Sequence, residues 1–236
     1  MDNLFYHPDL KDGLAFDFSE EESRHIRVFR YQQGDQLMAT NGKGLLAKVQ
    51  ILSDKKIVKA EVISSETFLK SSYSCSIGIA PTKNQDRLEW FVEKSIEIGI
   101  ENIYLFVSAN SEKPRVNMER LIRVAVAAMK QSQKTFLPVI HELTDLQTLF
   151  KSVEVEQKFI AHCRTDVNRS LLKNTIKPNL SGLILIGPEG DFTQEEIQVA
   201  ESNGYMGISL GVSRLRTETA ALAALLTFDI LNQNQQ

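Results

Sequence analysis

The sequence predicts an α/β protein of two domains, in which a small antiparallel β-barrel precedes a domain built on a mostly parallel sheet. Short strand-like segments separated by turn residues fill the first 70 residues. Beyond them, apolar strand segments alternate with amphipathic helices, which is typical of a parallel sheet covered on both faces. The polar, serine-rich segment 68–74 lies between the two patterns. We therefore expect domains at 1–70 and 74–236.

Three strands are expected in the first domain, over residues 36–40, 45–52 and 57–63. Turn-forming residues separate them at 41–44 and 53–56. Such close spacing favours hairpins, and hairpins give an antiparallel arrangement.

Five strands are expected in the second domain, over residues 74–80, 103–107, 158–163, 183–186 and 205–210. One helix starts near Asn84 and ends before Gly99, which suits the position after a helix end. Asn117 caps another helix, which is expected to turn five apolar side chains inward: Met118, Leu121, Ile122, Ala125 and Met129. A last helix runs from about Thr217 to Asn232.

Composition excludes several classes of protein. The start of the chain is mixed and acidic, unlike a signal peptide, and the purest apolar run, 220–226, is too short to cross a bilayer. Cys75 and Cys163 have no CxxC spacing, and the four histidines form no ligand pattern. We therefore expect a cytoplasmic protein with no metal and no membrane contact.

Basic residues are concentrated in two regions, although the net charge is −3. Residues 23–70 carry nine Lys and Arg against four acids, and residues 112–134 carry six against two. A solvated charged face explains such regions as well as contact with an RNA backbone does. The candidate RNA contacts are Arg24, Arg27 and Arg30 in the first region and Arg115, Arg120, Arg123, Lys130 and Lys134 in the second.

The segment LILIGPEGDFTQEE begins at residue 183 and combines a buried strand, a tight turn at 187–190 and a helix start. Thr193 and Glu196 have the spacing of a capping box. This geometry commonly holds phosphate, but Glu189 and Asp191 would repel one. It suits a neutral or cationic ligand such as S-adenosylmethionine; the alternative is a plain βα turn with a well-capped helix.

The segment SLGVSRLRTETAALAAL, from residue 209, places two arginines and an acid at the mouth of an alanine-rich helix. The helix dipole accounts for Glu218 but opposes Arg216. Arg216 therefore needs a partner, which is Glu218, Glu189 or an anionic substrate. Both segments follow predicted parallel strands, so they are expected on the same rim of the sheet. The helix itself is either a buried core helix or a dimer interface.

These motifs resemble those of the RsmE-type 16S rRNA uridine-N3 methyltransferases of the SPOUT superfamily. IGPEGDFTQEE (186–196) and LGVSRLRTETA (210–220) carry most of the resemblance. HIRVFRYQQGD (25–35), Lys83 with Arg87, EKSIEIGI (93–100) and AMKQS (128–132) extend it over essentially the whole chain.

The resemblance implies a PUA-like barrel over 1–70 and a SPOUT domain over 74–236 with a C-terminal trefoil knot. It implies a homodimer that methylates 16S rRNA, either as free RNA or in the small ribosomal subunit. It also adds Lys83 to the RNA contacts. The cofactor would be held by Leu185, Gly187, Pro188, Glu189, Gly190, Leu210, Gly211 and Leu215. Arg216 would stabilise charge on a uracil oxygen, and Glu218 or Glu189 would accept the N3 proton.

Two other functions stay open at this stage. One is a non-catalytic RNA-binding protein of ribosome assembly, and the other is an enzyme that uses a nucleotide phosphate at the same rim. Three positions also depart from the family pattern: Asp191 replaces a usual second glycine, Asn110 replaces an arginine, and Lys130 replaces a glutamate. Asp191 is tolerable if it adopts the turn conformation of glycine.

Overall fold

A computed structural model describes residues 3–112, 115–164 and 169–233, which divide into two units. The first unit contains Met1–Lys70 and Val126–Leu137, and the second contains Ser71–Ala125 and Pro138–Gln236. The segment 126–137 therefore groups with the first unit, although it lies inside the range expected for the second domain.

The first unit is built on one five-stranded sheet of order β1-β3-β4-β5-β2. The pair β1–β3 is parallel, and the other three pairs are antiparallel. Its elements are β1 (Leu4–Tyr6), β2 (Ala15–Asp17), α1 (Glu20–Val28), β3 (Gln36–Thr40), β4 (Leu45–Ser53) and β5 (Lys59–Thr67). The three predicted strands are confirmed, whereas β1, β2 and α1 were not predicted.

Alternation along β4 shows how the sheet covers its core. Ala47, Val49 and Ile51 are at most 1% exposed, and they face the same side as Ile26 of α1. Helix α1 begins where the Ser19 hydroxyl accepts from the Glu22 amide at 3.1 Å. The sheet and α1 thus form a core of their own in the first unit.

Residues 126–137 are bound to this sheet by main-chain hydrogen bonds. The Gly44 amide donates to Thr135 at 2.9 Å, and the Leu137 amide donates to Gly42 at 2.8 Å. Gly44 has a φ of 100°, and a Cβ there would lie 2.6 Å from the Phe136 ring. Only glycine fits this close approach.

A buried ion pair joins the same segment to α1. The Lys130 ammonium contacts the Glu22 carboxylate, and the two side chains are 14% and 7% exposed. The Tyr6 amide donates to the same carboxylate at 3.3 Å. Because the pair is shielded from water, removal of one partner leaves a charge that the surroundings cannot compensate.

The second unit contains a seven-stranded sheet of order β10-β12-β9-β11-β6-β7-β8, in which every pair is parallel. The strands are β6 (Cys75–Ile79), β7 (Asn102–Val107), β8 (Val139–Asp145), β9 (Gln157–Ala161), β10 (Ser170–Leu171), β11 (Gly182–Ile186) and β12 (Tyr205–Ser209). The expected parallel sheet is confirmed. Strands β8 and β10 were not predicted, because they lie at the sheet edges and are largely polar.

Helices connect these strands: α2 (Gln85–Ile98), α3 (Met118–Gln131), α4 (Leu146–Ser152), α5 (Gln194–Ser202) and α6 (Thr217–Gln233). The caps predicted from the sequence are present at Asn117 and in the Thr193 capping box. Asn84, near which a helix start was predicted, also caps its helix. One inward position of α3 is wrong: Ile122 is 48% exposed, whereas Leu121, Ala125 and Met129 are buried. At 100° per residue, adjacent Leu121 and Ile122 cannot both face the centre of one apolar stripe.

Within the ranges that the structure describes, none of the helices combines the length and apolarity needed to cross a bilayer. The same residues contain no group of three or more His, Cys, Asp and Glu side chains that could hold a metal ion.

The first prediction concerns the ion pair of the first unit. Lys130→Met should lower the free energy of unfolding by about 3 kcal/mol, because Glu22 stays buried without its partner. The double variant Glu22→Gln with Lys130→Met should recover most of that loss, since no charge is then buried. Urea denaturation measures both, and equal stability of Lys130→Met and the parent chain would contradict the role of the pair.

Candidate functional site

A cavity of about 370 Å³ lies at the carboxyl ends of three neighbouring strands, β9, β11 and β12. Its walls come from three connections, at 161–163, 186–191 and 208–217. The carboxyl edge of a parallel sheet is the usual place for a ligand, and the volume suits a small organic molecule.

The turn after β11 is held in one shape by Asp191. This residue has a φ of 64°, the left-handed region that normally favours glycine. Its carboxylate accepts from the amides of Cys163 and Phe192, both at 2.8 Å. These bonds compensate the backbone strain and tie the turn to the end of β9.

Asn110, which follows β7, holds the other side of the same turn. Its side-chain amide donates to the carbonyl oxygens of Gly190 and Asp191 at 3.2 and 3.0 Å. A Cβ at Gly190 would lie 3.0 Å from the Asn110 Cβ, so the close fit depends on glycine. Two residues that depart from the family pattern, Asn110 and Asp191, thus stabilise the turn together.

The head of α6 is joined to this turn by a buried hydrogen bond. The Thr217 hydroxyl, in a side chain that is 5% exposed overall, donates to the carbonyl oxygen of Gly187 at 3.1 Å. The Arg214 guanidinium also donates to the carbonyl oxygen of Glu189, at 3.4 Å. The two predicted motifs therefore form opposite walls of one cavity.

The connection after β12 bends sharply at Gly211, which has a φ of 137°. A side chain there would be strained, although nothing lies within 4 Å of the added Cβ. The Ser209 hydroxyl accepts from the Gly211 amide at 3.2 Å and supports the bend. Because Gly211 has no side chain, its main chain lines the cavity directly.

Both signs of charge line the cavity. Arg169, Arg214 and Arg216 contribute positive charge, and Glu189 and Asp191 contribute negative charge. This mixture suits a ligand that carries both a carboxylate and cationic groups, and it is unsuited to a polyphosphate.

His162 borders the cavity and is 3% exposed. Burial lowers the pKa of its imidazole below the usual value, which favours a neutral ring. Neither ring nitrogen has a hydrogen-bond partner among the described residues. Within the described ranges, the histidine is therefore a buried polar group whose ring nitrogens form no hydrogen bond.

Most of the residues predicted to hold a cofactor lie at this cavity: Gly187, Pro188, Glu189, Leu210, Gly211 and Leu215. Two predicted residues do not line it. Leu185 is fully buried in the core, where its Cδ2 would be 2.5 Å from a Cβ at Gly78. Gly190 faces a neighbouring groove beside Asn110 and Lys83.

The three residues predicted to be catalytic occupy different positions. Glu189 is exposed on the wall of the first cavity, and Arg216 lines both this cavity and a second one of about 570 Å³. Glu218 lines the second cavity and is 6% exposed. Its carboxylate lies 3.8 Å from the Arg87 guanidinium, so Arg87 rather than Arg216 is its cationic neighbour.

The predicted RNA contacts of the first unit do not form one stripe. Arg24 is exposed on α1. Arg27 donates to the carbonyl oxygens of Lys55 and Lys56 at 3.0 and 2.6 Å, so it also supports the loop before β5. Arg30 follows the end of α1 and has a φ of 63°. Because α1 ends at Val28, Arg30 does not continue the row that Arg24 and Arg27 form on the helix.

The second set of predicted RNA contacts is also divided. Arg115 is exposed. Arg120 forms an ion pair with Glu89, and Arg123 forms one with Glu119. Lys83, which the resemblance added to the RNA contacts, forms an ion pair with Glu112. Lys130 lies in the buried pair with Glu22, and Lys134 is half-buried beyond the end of α3. Four of these predicted contacts are thus exposed basic side chains: Lys83, Arg115, Arg120 and Arg123.

The site residues predicted from the sequence leave out Trp90, His162 and Arg169, which line the two cavities, and Asn110, which lines the neighbouring groove. Arg87 was named only for the family resemblance. Position is the signal for two of them, since His162 lies at the end of the predicted strand 158–163 and Arg87 lies in the first turn of a predicted helix. Only the strand order, with β9 between β11 and β12, brings them to one edge.

A parallel α/β domain with a mixed-charge cavity at its strand ends defines an enzyme-like domain that binds a small zwitterionic ligand. A family model described as an RNA methyltransferase domain matches residues 70–229, and a model described as an RNA methyltransferase PUA domain matches residues 18–63. The chain therefore belongs to this family of RNA methyltransferases, and the resemblance inferred from the motifs is confirmed.

Sequence similarity to known proteins extends over nearly the full length of both chains. The ribosomal RNA small subunit methyltransferase E of Bacillus subtilis is 26% identical over 92% of this chain and 90% of its own. A probable rRNA-methyltransferase from Porphyromonas gingivalis has a solved structure that is 36% identical and covers 99% of this chain and 100% of its own, with a TM-score of 0.92.

The ribosomal RNA small subunit methyltransferase E of Neisseria gonorrhoeae has the same fold, with 24% identity, a TM-score of 0.85 and 98% of each chain covered. That structure contains bound S-adenosyl methionine, the cofactor that the sequence predicts for this chain.

The second prediction concerns the bond between the two cavity walls. Thr217→Val should lower the free energy of unfolding by about 1–2 kcal/mol, because the variant keeps the shape but leaves the buried Gly187 carbonyl without this donor. Thr227→Val is the matched control, since the Thr227 hydroxyl only back-bonds within α6. If urea denaturation gave both substitutions the same loss in the free energy of unfolding, the Thr217–Gly187 bond would stabilise the protein no more than a bond within α6.

Proposed function

We propose that this chain transfers a methyl group from S-adenosylmethionine to N3 of a uridine in 16S rRNA. The observation that carries the proposal is the single cavity that the turn after β11 and the head of α6 enclose, with Thr217 bonded to Gly187 across it. Membership in the RNA methyltransferase family and the small-subunit relatives support the choice of substrate.

The residues of the cavity fit this cofactor. Its carboxylate has arginine partners in Arg169 and Arg214, and its ammonium has an acidic partner in Glu189. Main-chain groups of the segments at Gly187 and Gly211 line the cavity and would meet the adenine edge and the ribose hydroxyls. When bound, S-adenosylmethionine supplies a methyl group on a sulfonium, whose carbon–sulfur bond breaks as a neutral thioether leaves.

Two side chains account for the acceptor chemistry. Uridine N3 must lose its proton as the nitrogen bonds to the methyl carbon, and negative charge develops on the flanking carbonyl oxygens. Arg216 stabilises that charge, and a carboxylate accepts the proton.

Glu218 is better placed than Glu189 to accept the proton. Its carboxylate is buried, and its Oε2 atom has no hydrogen-bond partner among the described residues. Glu189 is exposed, so water competes for its oxygens. We therefore assign the proton to Glu218 and leave Glu189 with the cofactor.

Further expectations from the sequence belong to the same proposal. They are the domain limits of 1–70 and 74–236, the trefoil knot, a homodimer, and a cytoplasmic location, where ribosomes assemble. The strand order with β9 between β11 and β12 supports the knot. Leu226 and Ile230, 45% and 48% exposed one turn apart on α6, support a second copy as its partner.

Two measurements test the function. Calorimetry should detect S-adenosylmethionine binding, which a non-catalytic assembly protein would not show. Small ribosomal subunits from a strain that lacks the gene should then gain one methyl on a uridine, detected by mass spectrometry of nuclease digests. Binding without any methyl transfer to subunits or to free 16S rRNA would contradict the proposal.

The third prediction concerns Arg216. Arg216→Ala should lower kcat about 100-fold, because charge on the uracil oxygen loses its partner. The dissociation constant of S-adenosylmethionine should change less than about threefold, since main-chain groups hold most of the cofactor. Lys151→Ala, at an exposed site on α4, is the control. Full methyl transfer by Arg216→Ala would remove this residue from the mechanism.

A further inference from the structure

The second cavity lies beside the first and shares one wall with it. The shared residues are Arg214, Leu215 and Arg216. The rest of the second cavity is formed by residues of two helices: Asp86, Arg87 and Trp90 of α2 and Glu218 and Thr219 of α6. The two cavities are therefore adjacent, so that a methyl donor in the first would lie next to an acceptor in the second. The arrangement requires the acceptor base to leave any stack and enter the second cavity.

Trp90 stands out among the apolar residues of α2. Leu88, Phe91, Val92 and Ile96 are at most 2% exposed, whereas the Trp90 indole is 45% exposed. The protein core therefore leaves nearly half of this side chain uncovered. Its position on the wall of a cavity offers a flat surface on which a base can stack.

The polar groups of the second cavity match one base edge. Uracil presents an acceptor, a donor and an acceptor in its O2, N3–H and O4 atoms. Arg87 and Arg216 are donors at neutral pH, and the Glu218 carboxylate accepts. Cytosine presents an amino donor in place of O4 and has no proton on N3, so two of the three contacts would be lost.

The contacts of Glu218 leave one oxygen for the base. Its Oε1 atom lies 3.8 Å from Arg87 Nε, which orients the carboxylate. Its Oε2 atom is buried and has no partner among the described residues. A buried acceptor without a donor is unfavourable. The N3–H of uracil would satisfy it once the carboxylate turns toward the cavity, because Oε2 itself is covered in this conformation.

We propose that Trp90 and Arg87 select the acceptor base, with the indole stacking on a uracil and the guanidinium donating to one of its carbonyl oxygens. This inference rests on the proposed function and goes beyond it, because it assigns base recognition to two residues that bind no part of the cofactor.

Methyl transfer to unmethylated small ribosomal subunits tests the role of Trp90. Trp90→Ala lowers kcat/KM about 10- to 100-fold, the range expected for loss of one base stack. Trp90→Phe keeps an aromatic face and restores most of the activity. The dissociation constant of S-adenosylmethionine, measured by calorimetry, stays unchanged in both variants. Lys94→Ala, on the same helix, is the control.

Intrinsic fluorescence gives a direct readout, because Trp90 is the only tryptophan of the chain. The probes are RNA pentamers with one base, uracil or cytosine, between abasic units, added in the presence of saturating S-adenosylhomocysteine. The uracil pentamer quenches the emission at concentrations at least 10-fold lower than the cytosine pentamer. Arg87→Lys reduces this preference, since an ammonium lacks the planar fork of a guanidinium.

Two outcomes overturn the inference. One is an unchanged kcat/KM for Trp90→Ala in a preparation whose parent chain is active. The other is an emission change that follows protein concentration without RNA, which assigns the indole to contact with a second copy. An inactive parent chain contradicts the proposed function itself, so the two failures are distinguishable.

Discussion

One buried hydrogen bond, from the Thr217 hydroxyl to the Gly187 carbonyl, is the constraint on which the site depends. It joins the first residue of α6 to the first residue after β11, although they are 30 positions apart in the chain. With the weaker contact from Arg214 to the Glu189 carbonyl oxygen, it fixes the acid-bearing turn against the arginine-bearing start of the helix. With it, they enclose a cavity in which charges of both signs face one ligand.

The rest of the turn is adapted to this constraint. Asp191 occupies a left-handed conformation that favours glycine, and its carboxylate gains two amide donors in return. Asn110 binds the two carbonyl oxygens on the other side. The two departures from the family pattern therefore act on the same few atoms. A rigid turn of this kind presents its main-chain groups to a ligand with little entropy left to lose on binding.

Local patterns in the sequence predicted most of the strands, the helix caps and both motifs, because each of these depends on residues that are close in the chain. Leu185 and Lys130 show where such patterns stop. Leu185 belongs to the right strand, but its side chain faces the core beneath Gly78. The pattern of α3 predicts an exposed Lys130. Its ammonium instead contacts the buried carboxylate of Glu22, which is 108 residues away in the chain. The cavity residues Arg87, Trp90 and His162 likewise meet the motifs only through the strand order, which no local pattern contains.

The most direct test of a single shared cavity is a crystal structure of the chain with S-adenosylhomocysteine. The ligand should contact the 187–191 turn and the 209–217 segment at once, with the Thr217–Gly187 bond intact. A ligand that contacts only one of these segments, or that lies elsewhere on the protein, would contradict the account.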